Sequence, residues 1–338
     1  MRTIEELERK LSEPSEALIE DMKAIEGDIV LLGVGGKMGP SLACLLMNAI
    51  RQSGVERRVY GVSRFSEGGL RERLEAEGIH TIACDLLDDE KLQALPDARN
   101  VIYMAGNKFG TTGNESFTWA MNAYLPGRVA EKYRESNIVV FSSGNVYPFI
   151  SVGGGGADES VAPGPIGEYA QSCLGRERIF EHFAKKHGIP MFIYRLNYAI
   201  DMRYGVLLEI AKSVKAGKPI NLTMGHANVI WQGDANEIAI RALLACSTPV
   251  NYMNVTGPET MSIRWAAEQF GRRFGIDPVF EGTESETALL NNASKSYQRF
   301  GYPRVSLLQL IDWTAEWVEA GGAMLNKPTH FQERKGKF

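Results

Sequence analysis

The chain of 338 residues is 44% hydrophobic and 23% charged, which is typical of a soluble globular protein. Its net charge of -4 argues against a nucleic-acid partner, which would require a basic face, and no apolar run reaches the roughly 18 residues of a membrane span. Four scattered cysteines form neither a CxxC pair nor a cluster with histidine, so neither a metal site nor a disulfide framework is predicted. The N-terminus lacks the apolar core of a signal peptide, and we expect a reduced, cytoplasmic protein.

Residues 1–26 are predicted to form a helical extension ahead of the first strand. The stretch is charged and amphipathic, and Ser12 followed by Pro14 is typical of a cap with proline in the first turn of a second helix. We expect this extension to pack on the outside of the domain that follows.

The stretch DIVLLGVGGKMGP, residues 28–40, predicts a dinucleotide-binding turn, the alternative being an ordinary glycine-rich turn. Residues 29–32 form an apolar run typical of a buried parallel strand, and residues 41–50 are apolar at helical spacing. Glycines at this spacing permit a tight turn, an approach of the backbone to a pyrophosphate, and close packing of helix on strand, while the helix N-terminus offers free N–H groups to the phosphates. The residues predicted to contact the cofactor here are Gly33, Gly35, Gly36, Lys37, Met38 and Gly39.

The end of the predicted strand at 58–63 favours NADP over NAD. An acid at this point would hydrogen-bond the ribose 2′-hydroxyl of NAD, whereas an arginine accommodates the 2′-phosphate of NADP. Ser63 and Arg64 stand there, and the first acid is Glu67. The alternative interpretation is a surface arginine that happens to follow a strand.

Strands and helices alternate through the first half of the chain. Further strands are predicted at 79–84, 100–105, 138–141 and 190–196, and helices at 68–78, 115–136 and 168–186. This alternation predicts an α/β fold with a doubly wound parallel sheet, in which ligands bind beyond the carboxyl ends of the strands. The residues at those ends are Gly33, Arg64, Asp85, Gly106 and Ser143.

Four motifs stand in an order that resembles a known family. Residues 33–39 (GVGGKMG) are similar to a GxxGxxG turn, Asp85-Leu86 to an adenine-contacting pair, residues 142–147 (SSGNVY) to a segment with a catalytic hydroxyl, and residues 169–173 (YAQSC) occupy the place of a YxxxK motif. Over about residues 28–320 the chain resembles the extended short-chain dehydrogenase/reductase family, the NAD(P)-dependent sugar epimerases and dehydratases.

The resemblance implies a Rossmann fold, a reaction and a set of site residues. The implied enzyme is an oxidoreductase, epimerase or dehydratase that transfers a hydride between nicotinamide and the hydroxyl-bearing carbon of a sugar or sugar acid. Ser143 would bind the reacting oxygen and Tyr169 would give or take its proton. Further residues implied to contact the cofactor are Asp85, Leu86, Met104, Ala105, Gly106 and Asn122.

Cys173 stands where the motif has its lysine. In the family that lysine holds the nicotinamide ribose and lowers the tyrosine pKa, which is otherwise near 10. Tyr169 is then either a neutral proton donor or is served by another cation, for which Lys108 and Arg176 are candidates, while Cys173 is read as a small buried hydrophobe rather than a nucleophile. The loss of the lysine also leaves a second hypothesis, a non-catalytic dinucleotide-binding sensor or scaffold.

The residues expected to contact the substrate lie in the least well matched part of the chain. They are Lys108, Asn145, Arg195, Asn197, Arg203 and His226. Arg195 and Arg203 are expected either to bind a carboxylate or phosphate of the substrate or to form structural ion pairs. His226 is expected either in the pocket or at the surface, and Asn197 follows Arg195 by two residues where the family has three.

The predicted domain organisation is interleaved. Residues 27–196, with a later strand near 250–256, form the dinucleotide-binding domain, and residues 197–326 form mainly a smaller substrate lobe. Residues 327–338 are polar and are expected to be a frayed tail. The resemblance also implies a homodimer through the helices near 115–136 and 168–187.

Overall fold

A seven-stranded parallel sheet lies at the centre of the computed structural model, which describes residues 1–108, 112–327 and 329–337. Its strands are β1 (Ile29–Leu32), β2 (Val59–Ser63), β3 (His80–Ala83), β4 (Asn100–Tyr103), β5 (Asn137–Ser143), β6 (Met191–Leu196) and β7 (Asn251–Val255). Their order across the sheet is β3-β2-β1-β4-β5-β6-β7, and each neighbouring pair is parallel. This is the doubly wound order, so the predicted fold class is confirmed.

Helices alternate with these strands and continue into the second half of the chain. They are α1 (Ile4–Leu11), α2 (Glu16–Ala24), α3 (Gly39–Ser53), α4 (Leu70–Ala76), α5 (Asp89–Gln93), α6 (Glu115–Trp119), α7 (Leu125–Lys132), α8 (Gly167–His187), α9 (Val206–Lys215), α10 (Gln232–Arg241), α11 (Ile263–Phe274), α12 (Ser294–Phe300) and α13 (Leu307–Glu319). Within the described ranges, none of the helices combines the length and the hydropathy needed to span a bilayer.

The two faces of the sheet are covered by different helices. Because successive side chains of a strand point to opposite faces, Leu31 packs with α2, α3 and α10 on one side, while Val30 packs with α7 and α8 on the other. Val30 and Leu31 are both fully buried. A central parallel strand is covered on both faces, and the sequence of β1 fits this position because every residue in it is apolar.

A second hydrophobic core lies beyond the carboxyl ends of the strands. It is built by α9, α11 and α13 around the buried Trp231 and Trp317. The N-terminal stretch contributes to both cores, because Leu7 of α1 is buried here and Leu18 of α2 is buried against the sheet. Short strand pairs join residues 199–200 with 230–231, 226–227 with 261–262, 220–221 with 280–281, and 150–151 with 287–288.

The long helix predicted at 115–136 is interrupted in the structure. A π-helical turn, Ala120–Tyr124, separates α6 from α7, and α7 ends at Lys132. Pro126 lies in the first turn of α7, and since proline has no N–H to donate, the regular hydrogen-bond ladder cannot run through it. Asn122 therefore lies in the π turn rather than in a regular helix.

The prediction of a frayed C-terminal tail is wrong for residues 329–337, which we call the C-terminal strap; Pro328 and Phe338 lie outside the described residues. Thr329 and Phe331 are each 2% exposed. The backbone N–H and the hydroxyl of Thr329 donate to the Glu209 carboxylate at 2.6 and 2.7 Å, and Arg334 donates to the Thr287 carbonyl at 2.8 Å. Although the composition of the C-terminal strap is polar, its own side chains hold it in place by hydrogen bonds.

Candidate functional site

The glycine turn has the geometry of an anion-binding turn. Gly33 has φ +90°, and a Cβ there would lie 2.7 Å from the backbone nitrogen of Ala105, so only glycine allows β1 and β4 to approach this closely. Helix α3 begins at Gly39, its cap residue Met38 makes no side-chain capping bond, and its described first turn holds no acid. The Gly39 N–H donates to the Gly36 carbonyl at 3.2 Å and Pro40 has no N–H, so an anion at this end would use the remaining N–H groups of the turn and the positive end of the helix dipole.

A first cavity of about 200 Å³ lies over the carboxyl ends of β1 to β4. Arg64 is exposed, and the carboxylate of Asp85 accepts a bond from the backbone of Leu87 at 3.1 Å. Asp85 is the one acid among the described residues that line this cavity. The predicted cofactor residues that line it are Gly33, Gly35, Gly36, Ser63, Arg64, Asp85, Leu86, Met104, Ala105 and Gly106.

A second cavity of about 240 Å³ adjoins the first. Gly33, Gly36 and Met104 line both cavities, so the two meet at the glycine turn. The second cavity brings together the predicted catalytic and substrate residues Ser143, Tyr169, Lys108, Asn145 and Asn197. Two cavities that meet at a glycine turn and a helix N-terminus fit a dinucleotide, with one end next to the hydroxyls of Ser143 and Tyr169.

Tyr169 and Ser143 form a hydrogen-bonded pair at the wall of the second cavity. The burial of Tyr169 raises its pKa well above the ordinary value of 10, the Cys173 thiol raises it further, and the Ser143 hydroxyl acts in the opposite direction. The Ser143 oxygen also accepts a bond from the backbone of Asn145 at 3.1 Å. Ser143 thus ends β5 and at the same time holds the phenol of Tyr169.

Two cations face the Tyr169–Cys173 pair. The Lys108 Nζ atom lies 5.9 Å from the centroid of the Tyr169 ring, and burial lowers the pKa of Lys108 to about 8. Arg176 donates to the Phe141 carbonyl at 2.7 Å. Its positive charge lowers the pKa of Tyr169 against the effect of burial. Lys108 and Arg176, the two candidates for a substitute cation, therefore both lie near Tyr169.

Cys173 is fully buried in a small apolar cluster with Val146, Tyr147 and Ala157. Burial raises the pKa of its thiol, so the sulfur carries its proton and is a poor nucleophile. The environment agrees with the interpretation of Cys173 as a small buried hydrophobe.

Three of the predicted substrate residues and one predicted cofactor residue form contacts that hold the fold together. Arg195 forms a buried ion pair with Glu177, Arg203 pairs with Asp201 and Glu8, and His226 lies in a strand pair opposite Ser262. Among the described lining residues of the two cavities, none of these three occurs. The fourth, Asn122, is fully buried and joins the backbone of Asn107 to Ser172 and Arg176.

Other contributors to the second cavity were not predicted from the sequence. Tyr198, Tyr204 and Thr329 line it, and they come from the second lobe and the strap. Lys37, predicted to contact the cofactor, also turns toward that lobe, with its Nζ atom 2.9 Å from the Ala199 carbonyl and 3.9 Å from the centroid of the Tyr204 ring. The feature of the sequence that could have indicated this contact is the presence of a lysine within a glycine turn. In the described part of the chain, no group of three or more His, Cys, Asp or Glu is placed to hold a metal.

Comparison with known proteins gives a family and a fold. The family model described as "NAD dependent epimerase/dehydratase family" matches residues 29–225, and no curated protein matches the sequence. A solved epimerase of Methanothermobacter thermautotrophicus is 17% identical with a TM-score of 0.73, over 91% of this chain and 96% of its own. A variant of UDP-glucuronic acid 4-epimerase from Bacillus cereus, solved with UDP-4-deoxy-4-fluoro-glucuronic acid and NAD, is 18% identical with a TM-score of 0.71, over 86% and 99%.

UDP-glucose 4-epimerase of Thermotoga maritima, solved with UDP-glucose, is 15% identical with a TM-score of 0.68, over 87% of this chain and 99% of its own. At these identities the likeness to solved structures shows a common fold.

Proposed function

Because the chain belongs to the NAD dependent epimerase/dehydratase family, whose members are NAD-dependent enzymes of the extended short-chain dehydrogenase/reductase type, we propose that it transfers a hydride between a nicotinamide cofactor and the hydroxyl-bearing carbon of a sugar or sugar acid. The observation that carries this proposal is the hydrogen-bonded Tyr169–Ser143 pair in a cavity that adjoins the glycine turn. A proton donor and a hydroxyl that face one cavity are the groups that alcohol–carbonyl chemistry requires.

The chain's own residues handle the proton. When bound, the nicotinamide supplies the acceptor and donor of the hydride. Tyr169 carries a proton on its phenolic oxygen and gives it to the substrate oxygen as a carbonyl becomes a hydroxyl, or takes it back in the reverse direction. Ser143 holds the same oxygen by a hydrogen bond. Lys108 and Arg176 stabilise the phenolate that remains on Tyr169 after the transfer.

We also propose that the cofactor is NADP rather than NAD. Arg64 follows β2 directly, where the 2′ position of the adenosine ribose would be recognised, and no acid of the strand end competes for it. Ser63 lies beside it and its hydroxyl accepts the backbone N–H of Phe65 at 3.3 Å, which holds the turn that presents Arg64.

The test is the variant Tyr169→Phe, compared with Tyr302→Phe, whose tyrosine is 71% exposed. The nucleotide that the purified protein releases on denaturation identifies the cofactor. With a panel of sugars and sugar acids, nicotinamide absorbance follows net oxidation or reduction, and NMR of the sugar follows epimerisation or dehydration, in which the cofactor is regenerated. We expect Tyr169→Phe to lose roughly 100- to 10,000-fold in turnover with cofactor binding retained, and Tyr302→Phe to lose nothing. A Tyr169→Phe protein that kept most of its rate would contradict the proposal.

A wild-type protein that binds the nucleotide and exchanges hydride with none of these compounds would favour the sensor or scaffold instead.

A further inference from the structure

The lysine of the glycine turn is held by a short loop of the second lobe. The Lys37 Nζ atom donates to the Ala199 carbonyl at 2.9 Å and lies 3.9 Å from the centroid of the Tyr204 ring. Asp201 lies between these two residues in the chain, and its backbone exchanges hydrogen bonds with that of Tyr204 at 3.0 and 3.4 Å. Residues 199–204, which we call the lysine cup, therefore bring an acceptor, a ring and a carboxylate to one ammonium group.

Asp201 is the residue of the cup that favours the charged form of Lys37. Burial lowers the pKa of Lys37 to about 7, and the negative charge of Asp201 acts in the opposite direction. The positive charges of Lys108, Arg203 and Lys327 add to the effect of burial. Asp201 is itself only 2% exposed, so its attraction for the ammonium group is weakly screened by water.

A chain of charges connects Asp201 to the N-terminal extension. The Asp201 carboxylate accepts the backbone N–H of Arg203 at 2.8 Å and two bonds from its guanidinium, at 3.2 and 2.8 Å. The same guanidinium forms an ion pair with Glu8 of α1. Charges of alternating sign thus lead from the first helix to the glycine turn, in the order Glu8, Arg203, Asp201 and Lys37.

Lys37 occupies the middle of the turn that is expected to bind the pyrophosphate. The Gly36 N–H donates to the Gly33 carbonyl at 3.0 Å, and the Gly39 N–H donates to the Gly36 carbonyl at 3.2 Å. Glycines leave a backbone free to adopt many shapes, and ordering it on binding costs affinity. A side chain anchored at the centre of the turn lowers that cost, because the turn already has one shape before the ligand arrives.

We propose that Asp201 is a positioning residue for cofactor binding: supported by Arg203 and Glu8, it retains the Lys37 ammonium in the lysine cup and thereby holds the glycine turn in its binding shape. The N-terminal extension then acts on the site although none of its residues is among the described residues that line either cavity. The inference concerns the binding of the dinucleotide and not the transfer of a hydride, so each can fail without the other.

The experiment is a double-mutant cycle with Asp201→Asn, Lys37→Met and the double variant. Hydrogen exchange of the nucleotide-free protein follows the amides of residues 33–39, and calorimetry measures the binding of NADP and NAD. We expect each single variant to accelerate exchange in the turn and to weaken nucleotide binding by roughly 3- to 10-fold, and the double variant to equal Lys37→Met, because Asp201 acts through Lys37. An effect of Asp201→Asn that persists in the Lys37→Met protein would overturn the proposal.

A milder variant covers the case in which Asp201→Asn does not fold. Glu8→Gln leaves the buried carboxylate in place and should accelerate exchange in the turn by about 2- to 3-fold, but not when Lys37 is methionine. Glu20→Gln, which breaks an exposed ion pair with Lys23 on the same extension, is the matched control and should change nothing. Faster exchange throughout the sheet, without a preference for the turn, would show loss of stability alone and contradict a positioning role.

The pH profile of binding separates this role from a purely structural one. As the pH rises through about 7, Lys37 loses its proton and with it the attraction of Asp201, so the affinity for NAD should fall between about pH 6 and 8. NAD is the probe because the 2′-phosphate of NADP itself titrates near about pH 6. The Lys37→Met protein should lack this fall, and identical profiles for it and the wild type would contradict the proposal. The exchange measurement needs no nucleotide, so it decides the inference even where the proposed choice of cofactor fails.

Discussion

At the scale of single residues, the proposed role of Tyr169 as proton donor makes its protonation the step that determines how the rate responds to pH. Burial first, and then Cys173, keep its pKa well above 10, so the phenol carries its proton throughout the neutral range. A protonated phenol can donate to a carbonyl but cannot accept from a hydroxyl. We expect alcohol oxidation to accelerate as the pH rises toward the tyrosine pKa, and carbonyl reduction to stay constant across neutral pH.

Initial rates in both directions over a range of buffers check this expectation. Tyr169→Phe is the control, because the residual rate of that variant should not rise with pH. Oxidation that reaches a plateau below neutral pH would contradict a raised pKa and would indicate that Lys108 and Arg176 outweigh burial.

Under the proposed preference for NADP, Arg64 is the residue that binds the 2′-phosphate of the cofactor. Replacing it by alanine should weaken NADP binding by roughly 10- to 100-fold, since a charge-assisted bond to the 2′-phosphate is lost, and should leave NAD binding unchanged. Titration of the protein with each nucleotide measures both constants. Arg71→Ala removes another exposed arginine, on α4, and is the matched control. An equal loss for both nucleotides would mean that Arg64 does not contact the 2′ position.

At the scale of elements, a buried ion pair fixes α8 to the carboxyl end of the sheet. Arg195 of β6 donates to both oxygens of Glu177 on α8, at 2.9 and 2.7 Å, and Ser142 of β5 donates to the same carboxylate at 2.6 Å. Glu177 is 0% exposed. Since α8 also carries Tyr169, this pair sets the position of the phenol relative to Ser143.

Removing one partner leaves a buried charge without compensation. We expect Arg195→Ala to lower the free energy of unfolding by about 3–5 kcal/mol. Arg178→Ala breaks a pair with Glu181 on the same helix in which Arg178 is 58% exposed, and should cost only about 0–1 kcal/mol. Urea unfolding of the three proteins measures both differences. Similar losses in the two variants would show that the pair with Glu177 is not a main support of α8.

Elements that are determined by residues close together in the sequence could be predicted. The strand before Gly33, the turn and helix α3 follow from an apolar run, a glycine spacing and a helical period, all within about 25 residues. The break at Ala120–Tyr124 was missed although Pro126 is a local signal, because the apolar spacing continues across it. The strap was missed because its partners, Glu209 and Thr287, lie far away in sequence.

At the scale of the whole molecule, the site exists only because the two lobes are interleaved. The contact between Lys37 and the Ala199 carbonyl spans 162 residues, and Thr329 reaches the same cavity from the C-terminal strap. Sequence motifs identify the site residues within each lobe. How the two lobes pack against each other depends on contacts between segments that are distant in the sequence. That is why Ser143, Tyr169, Lys108, Asn145 and Asn197 could be predicted to share one cavity. The contact of Lys37 with the second lobe and the contribution of Thr329 could not.

The helices α6 to α8 also offer a surface through which two copies of the chain can associate, and we propose that they form a homodimer there. Trp119 and Tyr124 are 37% and 56% exposed on this face. The Trp119 indole donates to Glu168 at 2.6 Å, so α6 and α8 both contribute to the surface.

Light scattering should give twice the chain mass for the wild type. Tyr124→Glu should give monomers, because a carboxylate would be buried in the interface without a partner. Tyr302→Glu, at an exposed tyrosine near the end of α12, should stay dimeric, and a monomeric wild type would refute the interface.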